Sequence, residues 1–176
     1  MGKWKLFIYL AVINIMSAGF FQAAATEKKD NDSSISITAD RLDMNEAKNT
    51  IVFEGSVHAD SGDSIVKCDR MEVFYIKDSS DTSGGVAGDG KKIDRILCTG
   101  NVDITRSDGT HAKADKAEMF QLKEILILSG NAMASQGKNS VAGNIITLFF
   151  KEKRTVVESS ESSRVKAIIF RNGEKE

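Results

Sequence analysis

Residues 114–132 read Ala-Asp-Lys-Ala-Glu-Met-Phe-Gln-Leu-Lys-Glu-Ile-Leu-Ile-Leu-Ser-Gly-Asn-Ala and contain the unit from which the chain is built. An aspartate phrase opens at Asp115, and a glycine phrase follows 15 positions later at Gly130. Asp40 and Gly55 repeat the pair, again 15 positions apart. Repetition at a fixed spacing indicates that one short β unit has been copied and stacked.

A middle copy of the unit carries an insertion. Asp69 and Gly100 are 31 positions apart, and the surplus of 16 equals the length of the Ser/Gly-rich stretch 77–92. We therefore predict that 77–92 is a loop inserted into one copy. Residues 142–146, Ala-Gly-Asn-Ile-Ile, echo the aspartate phrase weakly.

Apolar and polar residues alternate on both sides of each glycine. A period of two with one apolar face is typical of antiparallel strands buried on one side. Polar turn clusters separate the runs, so the pattern predicts an all-β meander, closed as a sandwich or left as an open, curved roll. The first strand is predicted at 35–39 and the last at 165–170. The turn clusters are 45–49, 60–63, 107–109, 136–139 and 158–163.

The amino terminus predicts export. Lys3 and Lys5 precede an apolar run over residues 6–21 and then Ala23-Ala24-Ala25. This order predicts a signal peptide over residues 1–25. An uncleaved anchor is the alternative, although a 16-residue run is short against the roughly 20 residues that span a bilayer. Residues 26–34 are polar and are predicted to be a flexible leader.

Charge excludes one class of function. Removal of residues 1–25 leaves 22 basic and 25 acidic residues, a net charge of −3. Nucleic-acid binding requires a basic excess or stripe. We therefore predict no nucleic-acid partner.

The two cysteines invite a disulfide, because exported proteins meet an oxidising compartment. Cys98 is in phase with the apolar set Ile96, Val102 and Ile104, whereas Cys68 is out of phase with Met71. Strict alternation therefore places the thiols on opposite faces unless a bulge intervenes, and it favours free, buried or half-buried cysteines.

Enzymatic residue patterns are not found in the sequence. His58 and His111 stand apart without metal-ligand spacing and are predicted to point outward. Asp40, Asp69 and Asp115 recur at equivalent repeat positions, which favours a structural role, in an exposed turn or a cross-strand pair with Arg or Lys, over acid catalysis. We predict no catalytic residue, no metal and no cofactor.

Five phrases occur in a characteristic order: Ala-Asp-Arg-Leu-Asp (39–43), Phe-Glu-Gly-Ser-Val (53–57), Ala-Asp-Lys-Ala-Glu (114–118), Leu-Ser-Gly-Asn-Ala (128–132) and Val-Ala-Gly-Asn-Ile-Ile-Thr-Leu (141–148). In these phrases and their order, the sequence resembles the OstA-like family that includes LptA. The resemblance runs over 35–169. It implies an open OstA-like β-jellyroll of consecutive antiparallel strands over 35–170, followed by a short tail, 171–176. It also implies a periplasmic carrier that bridges the inner and outer membranes in lipopolysaccharide transport and outer-membrane assembly.

In such a carrier the apolar inner face would hold lipid A acyl chains. Hiding each methylene group from water is worth about 0.8 kcal/mol, so several chains need a large apolar surface. For any single residue, ordinary core packing is the alternative. The candidate lipid-binding residues are Ile51, Phe53, Val57, Met71, Val73, Tyr75, Ile96, Val102, Ile104, Met119, Leu126, Leu128, Ile146, Leu148 and Phe150.

Strand edges are the second candidate site. An unpaired edge strand exposes N–H and C=O groups that a partner strand can complete. The resemblance implies head-to-tail pairing with other copies, or with OstA-like domains of the inner-membrane and outer-membrane transport components. A monomer with shielded edges is the alternative. The candidate edge residues are Ile35, Ile37, Val165, Ala167 and Ile169.

Two other functions remain open. The protein could be a membrane-tethered OstA-like partner in the same pathway, which a mature amino terminus at Thr26 would rule out. It could also be a structural β protein of the cell envelope that binds no lipid, with a closed and packed core.

Overall fold

The computed structural model describes residues 35–76, 92–161 and 164–170. The predicted signal peptide, leader and tail, and the predicted insertion apart from Lys92, lie outside the described residues. Every regular element within these ranges is a β-strand. The strands are β1 (Ser36–Thr38), β2 (Arg41–Asn45), β3 (Thr50–Asp60), β4 (Ser64–Tyr75), β5 (Ile93–Arg106), β6 (Thr110–Phe120), β7 (Ile125–Gln136), β8 (Asn139–Phe149), β9 (Arg154–Glu158) and β10 (Lys166–Ile168).

The strands form one antiparallel sheet in which β3 to β8 follow each other in chain order. β1 and β2 both pair with β3, and β9 and β10 both pair with β8. Among the described residues these two edges do not pair with each other, so the sheet is open. The prediction of consecutive antiparallel strands is confirmed. Turns at 107–109 and 137–138 lie within predicted turn clusters, whereas the turns at 121–124 and 150–153 were missed.

The repeated glycines lie at bulges in β3, β5 and β7. At Gly100 and Asn101 two successive residues adopt the left-handed conformation, with φ of 76° and 47°. The register between β5 and β6 shifts by one residue at this point, between Thr99 and Val102. Bulges bend a strand and increase its twist, so three aligned bulges curve the sheet. The equivalent pairs are Gly55 with Ser56 and Gly130 with Asn131.

Each repeated aspartate packs against the glycine of the same unit. A Cβ atom added to Gly100 would lie 2.2 Å from Asp69 Oδ2, so only glycine leaves room for the carboxylate. Asn101 Nδ2 donates a hydrogen bond of 2.9 Å to the same oxygen. The structural role is as predicted, but the suggested Arg or Lys partner is replaced by glycine and asparagine. The other two contacts join Gly55 to Asp40 and Gly130 to Asp115.

Strand register aligns the inward side chains in four rows across the sheet. Row 1 includes Ile51, Val73, Ile96, Met119, Leu126 and Leu148. Row 2 includes Phe53, Met71, Cys98, Ala117, Leu128, Ile146 and Val157. Row 3 includes Val57, Cys68, Val102, Ala114, Ala132 and Gly143. Row 4 includes Ile37, Ala59, Val66, Ile104, Ala112, Ala134, Val141 and Ala167.

The two cysteines lie on the same face, so the prediction from strict alternation is wrong. The register between β4 and β5 shifts between Lys67 and Arg70, and this shift brings Cys68 and Met71 onto one side although they are three residues apart. Both thiols are free and buried in the core. The sequence analysis allowed one exception to strict alternation, an intervening bulge, and that bulge is present.

Candidate functional site

Nearly all of the predicted lipid-binding residues share the inner face. Seven are buried, and a further seven are half-buried. Phe150 differs, because it follows β8 in the turn to β9 and its side chain is 37% exposed. The buried group is Ile51, Val57, Met71, Val73, Val102, Leu128 and Ile146. The half-buried group is Phe53, Tyr75, Ile96, Ile104, Met119, Leu126 and Leu148.

Burial varies across the face in a regular way. Rows 2 and 3, in the middle, are almost completely buried, and Leu128 and Ile146 in row 2 have 0% exposure. Rows 1 and 4, at the two ends of the strands, are mostly half-buried, as at Ile96 and Ile104. The apolar surface is therefore continuous from one end of the strands to the other, and it is most accessible at both ends.

Small side chains are the part of this face that sequence reasoning missed. β6 contributes Ala112, Ala114 and Ala117, all buried. Ala114 and Ala117 share a face across three positions because the register shifts at Asp115, so plain alternation does not predict the set. In the two middle rows, β6 therefore presents only small side chains to the inner face.

The outer face is held by ion pairs that cross the strands. Arg95 Nη1 lies 2.6 Å from Glu118 Oε1, and Lys116 Nζ lies 3.3 Å from Glu118 Oε2. Burial opposes ionisation of this carboxyl, but the hydrogen bonds from Arg95 and Lys116 outweigh it and lower the pKa of Glu118. The Arg95 guanidinium also stacks 4.1 Å from the centre of the Phe74 ring.

A second outer cluster joins β5 to β6. His111 Nε2 lies 2.9 Å from Asp103 Oδ1, and Lys113 Nζ lies 3.3 Å from Asp103 Oδ2. Burial by itself would raise the pKa of Asp103. The hydrogen bonds from His111 and Lys113 have the larger combined effect, so the pKa of Asp103 is lowered. Both clusters stabilise strand pairing and leave charge on the side away from the apolar face.

The edge strands are short, and their side chains are accessible. β1 covers only the last three residues of β3, and β10 only residues 140–142 of β8. Side-chain exposure is 50% at Ile35, 44% at Val165 and 78% at Ile169, whereas Ile37 is half-buried. The edge candidates Ile35, Ile37, Val165, Ala167 and Ile169 therefore flank two open edges of one sheet.

Within 35–76, 92–161 and 164–170, no cluster of three or more His, Cys, Asp or Glu side chains could hold a metal ion. In the same ranges no helix is long and apolar enough to cross a membrane.

Comparisons with known proteins agree with this architecture. An uncharacterised protein of Rhizobium meliloti (strain 1021) is 26% identical over 134 residues, which cover 73% of this chain and 69% of that protein. The crystal structure of LptH from Pseudomonas aeruginosa, the LptA homologous periplasmic component of the conserved lipopolysaccharide transport device, matches with a TM-score of 0.65 at 14% identity. That match covers 81% of this chain and 99% of LptH, and it confirms the predicted β-jellyroll.

A family model gives the assignment. The model of the LptA/(LptD N-terminal domain) LPS transport proteins matches residues 36–154, which is more than half of the chain. Its range includes strands β1 to β8 and all three aspartate–glycine contacts. The chain therefore belongs to the LptA/(LptD N-terminal domain) family of lipopolysaccharide-transport proteins.

Proposed function

We propose that this protein is a periplasmic, non-enzymatic carrier that holds lipid A acyl chains against its inner face while lipopolysaccharide moves from the inner to the outer membrane. The observation that carries the proposal is the single apolar face, continuous through four rows and most accessible at its two ends. Family membership supports a role in lipopolysaccharide transport.

The burial pattern suggests where the lipid would enter. Rows 1 and 4 contain half-buried side chains such as Ile96, Leu148 and Ile104, so acyl chains can replace water there without first unpacking the centre. Each methylene group that moves from water to an apolar surface is stabilised by about 0.8 kcal/mol. This stabilisation can offset the cost of separating the packed side chains of rows 2 and 3. The phosphorylated head would remain in solvent at the open side of the roll.

The open edges support the bridging part of the proposal. β1 and β10 leave strand edges that another OstA-like domain can extend by backbone pairing. Contacts between unlike edges generate a chain of copies rather than a closed pair. We propose head-to-tail association of this chain with itself, or with OstA-like domains of the inner-membrane and outer-membrane transport components.

A structural envelope protein without a lipid ligand is the second candidate. The complete burial of Leu128 and Ile146 favours it, because a sealed centre is what a merely structural β domain would have. The two candidates differ in one property: whether the half-buried rows bind lipid.

Two adjacent residues of β5 provide the test. Ile96 faces inward in row 1, Leu97 faces outward, and both are half-buried. We expect Ile96→Asn to weaken binding of purified lipopolysaccharide by at least tenfold, on the order of 1.4 kcal/mol, and Leu97→Asn to leave binding near the wild-type value. Equal affinity in both variants, or absence of binding by the folded wild type, would favour the structural candidate.

A further inference from the structure

The buried face contains two nucleophilic side chains for which the carrier function has no use. Cys68 on β4 and Cys98 on β5 are 4% and 5% exposed. Met71 is the residue directly opposite Cys98, and Cys68 is the next inward residue on β4, so the two cysteines occupy neighbouring rows of neighbouring strands. Each thiol perturbs the other: Cys98 lowers the pKa of Cys68, and Cys68 together with burial raises the pKa of Cys98. The bulge at Gly100 and Asn101 on β5, opposite Asp69, creates this proximity, because without the register shift the two side chains would lie on opposite faces of the sheet.

From this geometry we infer that Cys68 and Cys98 are a modification site, a thiol pair that closes to an intramolecular disulfide across β4 and β5. Diagonal neighbours on adjacent strands have Cα atoms about 7–8 Å apart and Cβ atoms somewhat closer, and a disulfide takes Cα separations of about 4.4–6.8 Å, so closure draws β4 and β5 slightly together at the bulge. The inference goes beyond lipid carriage and does not depend on it, because the reaction needs only the two thiols and an oxidant.

The reaction is a thiol–disulfide exchange with a small external disulfide, such as oxidised glutathione. The neighbouring Cys98 thiol lowers the pKa of Cys68, which favours the Cys68 thiolate as the attacking group. Cys68 also lines a shallow surface depression of about 300 Å³ together with His58 and Lys67, which gives a small oxidant a route to that residue.

The internal disulfide forms in two thiol–disulfide exchange steps. Cys68 Sγ bonds to one sulfur of the external disulfide and releases the other as a thiol. Cys98 Sγ then attacks Cys68 Sγ and releases the second thiol. The protein loses two hydrogen atoms, and the external disulfide is reduced to two thiols. The new bond closes a loop over residues 69–97, which includes the Ser/Gly-rich insertion.

Closure of such a loop restricts the unfolded chain and fixes the bulged register of β4 against β5. A loop of this length is expected to raise the melting temperature by roughly 10 °C. The oxidised form would therefore be the more durable one in an oxidising compartment.

The test is to refold the full chain from urea in a buffer of reduced and oxidised glutathione and to measure intact mass and melting temperature. We expect one folded species, lighter by two hydrogen atoms, with Cys68 and Cys98 peptides linked after digestion. Addition of dithiothreitol should lower its melting temperature by roughly 10 °C, and it should not change that of the folded C68A/C98A variant. Folded wild type with two free thiols, or with glutathione adducts only, would overturn the inference. An unchanged melting temperature on reduction of a proven internal bond would overturn its stabilising role.

Discussion

The carboxylate of Asp69 lies where a side chain on Gly100 would have to be: Oδ2 is 2.2 Å from the position of an added Cβ. The contact joins β4 to β5 at the bulge, and equivalent contacts recur in the neighbouring units. The repeated phrases of the sequence are therefore two halves of one packing contact that shapes the curvature of the sheet.

Gly100→Ala tests this contact. Alanine at a φ of 76° costs about 1–2 kcal/mol in backbone strain, and displacement of the Asp69 carboxylate is expected to add about 1–3 kcal/mol. The change in free energy of unfolding is measured by urea titration. Gly109→Ala is the matched control, because its φ is 79° but nothing lies within 4 Å of the added Cβ.

The second half of that experiment is a double variant. If the extra cost comes from the aspartate, Asp69→Ala should remove most of it in the Gly100→Ala background, which gives a non-additive cycle. Equal destabilisation by Gly100→Ala and Gly109→Ala would show that the contact contributes nothing to stability.

Glu118 is expected to make the free energy of unfolding depend on pH. Because the pKa of Glu118 is lower in the folded state, its contribution is complete above the unfolded value of about 4.3 and is lost as the pH falls through the folded value. We expect Glu118→Gln to be less stable than the wild type by roughly 1 kcal/mol at pH 7, and we expect the difference to shrink as the pH falls below the unfolded value of about 4.3.

Urea unfolding across the pH range measures this difference. Glu124→Gln is the control, since this carboxylate lies 3.6 Å from Lys151 in an exposed turn, and its effect should be smaller at every pH. A Glu118→Gln difference that does not change between pH 7 and pH 3 would contradict the ion-pair account.

Ile169 tests association at the edges. Its side chain is 78% exposed, so Ile169→Asp should change the stability of the monomer by less than about 0.5 kcal/mol. If this edge meets another copy, the substitution should raise the concentration needed for association at least tenfold, as measured by sedimentation velocity. Leu122→Asp, at an exposed turn between β6 and β7, is the control; the same association in wild type and both variants would argue against edge pairing here.

The repeat and the alternation were sufficient to predict an all-β fold with the right order of strands. Glycine phrases marked the centres of β3, β5 and β7, and polar clusters marked most turns, because strained backbone and solvent exposure restrict residue type strongly. The first and last strands were predicted a little long, at 35–39 and 165–170, since edge strands end where pairing ends rather than where apolar residues do.

The sequence did not predict which residues of the even-numbered strands point inward. In β4 and β6 the inward set shifts at Asp69 and Asp115, and a period of two cannot show a shift that depends on the partner strand. For the same reason the shared face of Cys68 and Cys98 was missed. The alanines of β6 were missed because small residues carry a weak burial signal.

Photocrosslinking from Phe53 in cells tests the central claim, which is that acyl chains lie on the inner face. Phe53 is a half-buried inward residue of row 2, and its neighbour Val52 is a half-buried outward one. With a photoreactive phenylalanine analogue at each position in turn, the account predicts a lipopolysaccharide adduct from position 53 and little or none from position 52. Folded protein that gives no adduct from 53, or equal adducts from both positions, would contradict it.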